Sequence, residues 1–370
     1  MNSGLADGLL ATVMQWEQAD LAAERPALQA IASYKYDEYQ QFAPGMRFIE
    51  SLAVWMSQFT DPEQRRVAYE FVKKRLTFFS NAEIRHLIQV AYPDYIRPRL
   101  VRQAAEVLNV QEWRVARITS SPEFQTLRRS CLYIGLSDGS RIDLFRRANQ
   151  ELSHEQIVLS YDGLSGATRV TALLEELRQE LSILRGSDHA DAKFTNVVLI
   201  DDFSGSGLSY IRPRKGGSYT GKIVKLCEAL FDPDGHASRL IDPDNVRVTL
   251  VLYIATSRAR QYLSDELAAL LADRDVVTEV IVIQEIRDEM VVKRGRVPKL
   301  DALLDEYYST DFEDRHLLIG GQGIKYGFGG CGLPLVLSHN TPNNSLYFLW
   351  VEGAQFHGLF PRRSRHGGAG

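Results

Sequence analysis

Several protein classes can be set aside from what this chain has little of. Among 370 residues there are three cysteines, Cys131, Cys227 and Cys331. Their odd number and wide spacing argue against a disulfide framework and a cysteine-based metal site. They suit a reducing compartment, so a cytoplasmic location is expected. No apolar run approaches the roughly 18 residues of a membrane-spanning helix. The first residues, Met1 to Asp7, have neither a basic leader nor a long apolar stretch, so no signal peptide is expected. Charge of one sign is also lacking: 43 Lys+Arg against 47 Asp+Glu leave a net charge of −4, with no global pull toward nucleic acid or membrane. There is no internal repeat and no low-complexity tract. The Gly-rich end, residues 366–370, reads as a disordered tail. What remains is ordinary globular composition, 45% hydrophobic and 24% charged.

Two regions differ in pattern. Residues 1–124 read as a helical N-terminal region, with Leu9, Val13 and Trp16, then Ile49, Leu52, Trp55, Met56 and Phe59, recurring at three- and four-residue intervals. Asp61-Pro62-Glu63-Gln64 signals a helix start, and the helix is expected to run on to Phe78. Ser80 with Glu83 three residues later reads as a capping box. Arg85, Arg97, Arg99 and Arg102 fall close together, as do Arg128 and Arg129. They read either as a solvated helix face or as a contact for nucleic acid or a partner protein.

Residues 125–365 alternate strand and helix. Strands are expected at Cys131–Gly135, Asn196–Ile200, Arg247–Ile254, Val276–Ile283 and Leu333–Leu337, with helices between them. Such alternation predicts an α/β fold, a mainly parallel sheet flanked by helices. Ligands of these sheets bind beyond the carboxyl ends of the strands.

The stretch that carries most chemistry is Val197-Val198-Leu199-Ile200-Asp201-Asp202-Phe203-Ser204-Gly205-Ser206-Gly207-Leu208-Ser209. A buried-strand run ends in two adjacent carboxylates, then in small residues whose backbone N–H groups can face an anion. The other reading is a buried strand ending in a Ser/Gly turn, with Asp201 as a helix cap. No Gly-Lys-Ser/Thr follows the glycines, and the acids precede the glycines, so neither a P-loop nor a dinucleotide fingerprint fits.

Three further stretches stand out. Leu136-Ser137-Asp138-Gly139-Ser140-Arg141 leads into Phe145-Arg146-Arg147, where guanidinium groups suit phosphates; the alternative is a plain turn with surface arginines. Downstream, His154 stands at a short helix start as an acid/base or structural residue. Tyr210 to Lys222 is basic and Gly-rich and reads as a long flexible loop, either closing over the site or merely solvated. Ser338-His339-Asn340-Thr341-Pro342-Asn343-Asn344 ends a strand in side-chain amides suited to a base edge, with Tyr347 or Trp350 to stack, or is an Asn/Pro turn before a core segment.

The hydrophobic strand, Asp201-Asp202, Phe203 and the Ser/Gly loop together resemble the PRPP-binding signature of class I phosphoribosyltransferases. Ser209 stands where that family usually has Thr. With the Gly-Leu-Ser-Asp-Gly and His-Asn-Thr-Pro-Asn-Asn stretches, residues 125–365 are similar to the phosphoribosyltransferase-like domains of bacterial conflict and antiphage systems, some of them retron-associated. The resemblance implies PRPP or a nucleotide as ligand, and Asp201 and Asp202 at the ribose hydroxyls, directly or through Mg²⁺. It implies Ser204, Gly205, Ser206, Gly207 and Ser209 around the 5′-phosphate, with Asp138, Arg141, Arg146, Asn343 and Asn344 completing the substrate site. Activity would be glycosyl transfer at the anomeric carbon, in a defence effector with a protein or nucleic-acid partner. The alternative is a non-catalytic module that senses PRPP or a nucleotide and regulates a partner.

Overall fold

A computed structural model describes residues 3–164, 166–187, 191–321 and 323–362. The tail at 366–370 lies outside the described residues. Nine strands occur among them: β1 (Thr77–Phe79), β2 (Cys131–Gly135), β3 (Ile157–Val158), β4 (Asn196–Ser204), β5 (Arg212–Pro213), β6 (Tyr219–Thr220), β7 (Arg247–Thr256), β8 (Val277–Ile286) and β9 (Leu335–Leu337).

The chain divides into two compact units, residues 1–84 with 287–370, and residues 85–286. The boundary expected at 124/125 falls inside the second unit. Helices read as N-terminal from their position in the chain pack instead on the α/β sheet. Arg99 of helix Arg97–Leu108 pairs with Glu279 of β8 at 2.6 Å, and the Tyr95 hydroxyl donates to the Ile283 carbonyl at 3.3 Å.

In the unit of residues 1–84 and 287–370, helices Ser3–Met14, Gln18–Tyr34, Phe48–Ser57 and Pro62–Lys74 surround an aromatic core. Trp55 packs on Phe348 at 5.3 Å between ring centroids, and its indole N–H donates to the Phe348 carbonyl at 3.0 Å. The capping box forms as expected: Ser80 N donates to Glu83 Oε2 and Glu83 N to Ser80 Oγ. The preceding helix, expected to reach Phe78, stops at Lys74. Thr77-Phe78-Phe79 is β1, paired in parallel with β9. β9 therefore does not complete the main sheet, as its apolar run suggested. An apolar run identifies a buried strand but not the strand it pairs with.

The unit of residues 85–286 holds a five-stranded sheet of order β3-β2-β4-β7-β8, every pair parallel. This is the α/β architecture expected from the alternating pattern. One face, with Leu132, Ile134, Val197, Leu199 and Leu250, packs on helices Ala167–Arg185, Lys222–Phe231 and Ser257–Leu270. On the other face Tyr133 meets Tyr92 and Phe145, with ring centroids at 6.4 and 5.4 Å. The strand order contains a reversal. From β2 the chain moves outward to β3, then returns to β4 on the other side of β2 and continues to β7 and β8. The connections after β2 and β4 thus part in opposite directions, the arrangement at which sheets of this kind form a crevice beyond their carboxyl ends.

Candidate functional site

Asp201 and Asp202 sit at that crevice. They do not follow the strand, as expected, but lie within it: β4 runs on to Ser204, with Phe203 paired to Ile254 and Ser204 to Ala255. Side chains alternate along a strand, so adjacent residues face opposite sides of the sheet. Asp201 continues the face of Val197 and Leu199 and is fully buried. Asp202 is half-buried against the β2 loop, where a Cβ at Gly139 would run into its carboxylate.

The Asp201 carboxylate is surrounded by donors. Oδ1 accepts from the Ser137 hydroxyl and from the Asp202 amide at 3.1 Å. Oδ2 accepts from Lys222 Nζ at 2.8 Å and lies 2.9 Å from the Tyr210 hydroxyl, which also reaches the Phe203 carbonyl at 2.9 Å. Burial first, then the Asp202 charge, push the Asp201 pKa above the usual carboxylate range, against the pull of Lys222 and Ser137. The Lys222 ammonium also stands 5.1 Å from the Tyr210 ring centroid.

The small-residue loop is folded on itself. Ser204 Oγ accepts from the Gly207 amide at 3.2 Å, and Ser206 Oγ from the Leu208 amide at 3.4 Å. Thr256, at the end of β7, donates its hydroxyl to the Gly205 carbonyl at 2.7 Å and caps helix Ser257–Leu270 by accepting from the Ala259 amide at 2.9 Å. Gly205, Ser206 and Gly207 are buried and Ser209 is exposed. Thr256 was missed in the sequence; its signal was an N-cap residue directly after an apolar strand.

The segment 210–222 is not a loose loop. β5 and β6 pair as a short antiparallel hairpin with Arg214, Lys215, Gly216 and Gly217 at its exposed tip. Tyr262 of helix Ser257–Leu270 donates to the Ile211 carbonyl at 3.0 Å, and Tyr219 bonds the Glu266 carboxylate. The hairpin leaves and returns at one point: Lys222 N donates to the Ser209 carbonyl at 3.2 Å and Ile223 N to that of Tyr210 at 3.1 Å. Helix Lys222–Phe231 therefore starts beside the small-residue loop, as though the hairpin had been inserted between them.

Across the crevice, the loop after β2 carries Asp138, exposed, and Arg141, half-buried with φ +44° ahead of helix Ile142–Ala148; Arg146 is half-buried on that helix. Of the buried hydroxyls that have no hydrogen-bond partner among the described residues, Ser140 Oγ belongs to this loop and that of Tyr253 to β7. Burial, followed by the charges of Asp201, Asp202 and Asp143, raises the Tyr253 pKa well above normal. His154 is exposed on a short 3-10 turn.

Asn343 and Asn344 belong to the other compact unit. Asn344 Nδ2 donates to the Phe328 carbonyl at 3.0 Å, and the Asn343 carbonyl accepts from the Phe328 amide at 2.7 Å. Tyr347 and Trp350 are buried there as well, bonded to the carbonyls of Leu304 and Ser345. Five of the six clustered arginines form ion pairs among the described residues: Arg97 and Arg128 with Glu151, Arg99 with Glu279, Arg102 with Glu112 and Arg129 with Glu180.

No group of three or more His, Cys, Asp and Glu able to hold a metal occurs among the described residues. Mg²⁺ is commonly held by one or two carboxylates together with substrate phosphates. Asp202, half-buried at the crevice, fits that role. No helix of the described residues is long and apolar enough to cross a membrane. A family model described as PRTase-CE matches residues 52–362 of the chain. No curated protein and no solved structure matches the chain significantly.

Proposed function

Because the chain belongs to the PRTase-CE family of phosphoribosyltransferase-like domains, we propose that it binds PRPP or a nucleotide in the crevice between β2 and β4. One observation carries this reading: the acid pair and the Ser/Gly loop lie at the reversal of strand order, opposite a loop bearing Asp138 and Arg141. Acids and an amide-rich turn at such a point match a ribose phosphate, the sugar hydroxyls on carboxylate and the phosphate on N–H groups.

In this reading the 5′-phosphate lies on Gly205 to Gly207 with the hydroxyls of Ser206 and Ser209. The Gly207 amide, held by Ser204 Oγ, turns to a phosphate oxygen on binding. Arg141 and Arg146 take the pyrophosphate, since guanidinium pairs bidentately with phosphate. Carboxylate at this strand end serves the ribose hydroxyls, and Asp202, the half-buried member of the pair, would also reach Mg²⁺; that cation would neutralise the charge of the departing pyrophosphate. In transfer, the bond from the anomeric carbon to pyrophosphate breaks and the pair of electrons leaves with the pyrophosphate. An acceptor supplies the new bond. Positive charge on the ribose in the transition state is stabilised by nearby carboxylate.

The resemblance of the short motifs to domains of bacterial conflict systems supports a cytoplasmic antiphage effector acting with a partner. A second reading, a sensor without transfer, is favoured by one feature: the hairpin is fastened to helix Ser257–Leu270 rather than free to close. Pyrophosphate release from PRPP with Mg²⁺, by wild type and Asp202→Asn, tests both. Release lost in the variant supports transfer. PRPP binding without release, both in buffer and with nucleobase, nucleoside or amine acceptors added, supports sensing, and neither binding nor release contradicts both readings.

A further inference from the structure

A pair of adjacent acids in a phosphoribosyl site invites the assumption that both meet the ligand. The geometry points to a division between them. The Asp201 carboxylate has four neighbouring donors from its own chain: Ser137 and the Asp202 amide on Oδ1, Tyr210 and Lys222 on Oδ2. Two carboxylate oxygens offer about four acceptor sites. Asp201 has no exposed surface, whereas the Lys222 side chain remains 27% exposed and its ammonium has two donors beyond the one given to Asp201. Strand alternation turns the Asp202 carboxylate to the other side, beside Gly139.

We propose that Lys222 is the resident counter-cation of Asp201, occupying with Ser137 and Tyr210 the place a divalent cation would take, so that Asp202 alone of the pair meets the ribose hydroxyls or the cation that accompanies pyrophosphate. Asp201 is then a positioning residue. Its single carboxylate ties together the loop after β2 through Ser137, the end of β4 through the Asp202 amide, and the two ends of the hairpin insertion through Tyr210 and Lys222. Each of these segments borders the crevice, so one buried charge sets the spacing of its walls. The inference rests on the phosphoribosyl reading for the identity of the ligand, but not for the ion pair itself.

The test therefore uses no PRPP. Thermal unfolding midpoints are measured for wild type, Asp201→Asn, Lys222→Met and the double variant Asp201→Asn/Lys222→Met, in chelator and over a Mn²⁺ titration. Wild type is expected to show no midpoint change at Mn²⁺ concentrations below non-specific binding. Lys222→Met is expected to melt lower in chelator and to recover as Mn²⁺ replaces the missing ammonium. The double variant, with neither charge, is expected to melt above Lys222→Met in chelator and to ignore Mn²⁺. A Mn²⁺-dependent rise in wild type that Asp201→Asn abolishes would overturn the inference, because Asp201 would then be a metal ligand already. A folded Lys222→Met without a Mn²⁺ response would overturn it too. Should Lys222→Met not fold, the comparison of wild type with Asp201→Asn decides alone, absence of a Mn²⁺ response in wild type upholding it. Failure of PRPP to bind in a separate titration would remove the phosphoribosyl reading and leave this result standing.

Discussion

Gly221 lies against the carbonyl of Tyr210 so closely that any side chain at Gly221 would collide with that backbone group. Its φ of +141° is a value L-residues rarely adopt. This is the seam where the hairpin insertion closes and the chain resumes at Lys222. The expected result of Gly221→Ala is a loss of more than about 1 kcal/mol, since alanine is incompatible with this backbone. Urea unfolding reads it as a lower midpoint at unchanged slope. A midpoint equal to wild type would mean that the seam is not closed in this way.

Tyr210 stands on the other side of the same seam. Its hydroxyl lies 2.9 Å from the buried Asp201 carboxylate. Hydrogen bonds to charged groups contribute about 1.5–3 kcal/mol, so Tyr210→Phe is expected to lose stability in that range. Equilibrium unfolding checks it, with Tyr262→Phe as a comparison, because Tyr262 donates to a neutral carbonyl, that of Ile211. A smaller loss for Tyr210 than for Tyr262 would contradict the placement of a charged carboxylate at its hydroxyl.

Thiol chemistry should be silent in the folded protein. Burial pushes the thiols of Cys131 and Cys227 up to about 12, and Cys331 is buried as well. The thiolate is the reactive form, so native protein at pH 8 should react slowly with a disulfide reagent. Three thiols should appear on denaturation. Rapid release of all three from native protein would contradict the described core.

Much of the second unit was legible because parallel strands buried on both faces are written as unbroken apolar runs; Val197 to Ile200 and Leu250 to Ile254 are such runs. Strand β3, only Ile157 and Val158, is too short to give a pattern. Leu335–Leu337 was legible as a strand but not as the partner of β1, because pairing over such a separation leaves no local trace. The hairpin at 212–220 was hidden by its composition: Arg-Pro-Arg-Lys-Gly-Gly has the residues of a loop, and the contact of Tyr262 with Ile211 that helps to fasten it is remote in sequence. The ion pairs of the arginine cluster were not legible where the partner is remote in sequence, as with Glu279, 180 residues from Arg99. The acid pair was found from its spacing. That its members face opposite ways follows from their lying inside β4, which the apolar run, ending at Ile200, did not show.

The central claim is that the crevice between β2 and β4 binds a phosphoribosyl group through Asp202 and the Ser/Gly loop. Calorimetric titration of PRPP into wild type and Asp202→Asn, with and without Mg²⁺, tests it most directly. The account predicts saturable binding by wild type, strengthened by Mg²⁺, and a loss of at least about tenfold in affinity for the variant, equivalent to about 1.4 kcal/mol. Equal binding by a folded Asp202→Asn variant, or no binding by wild type, would contradict it.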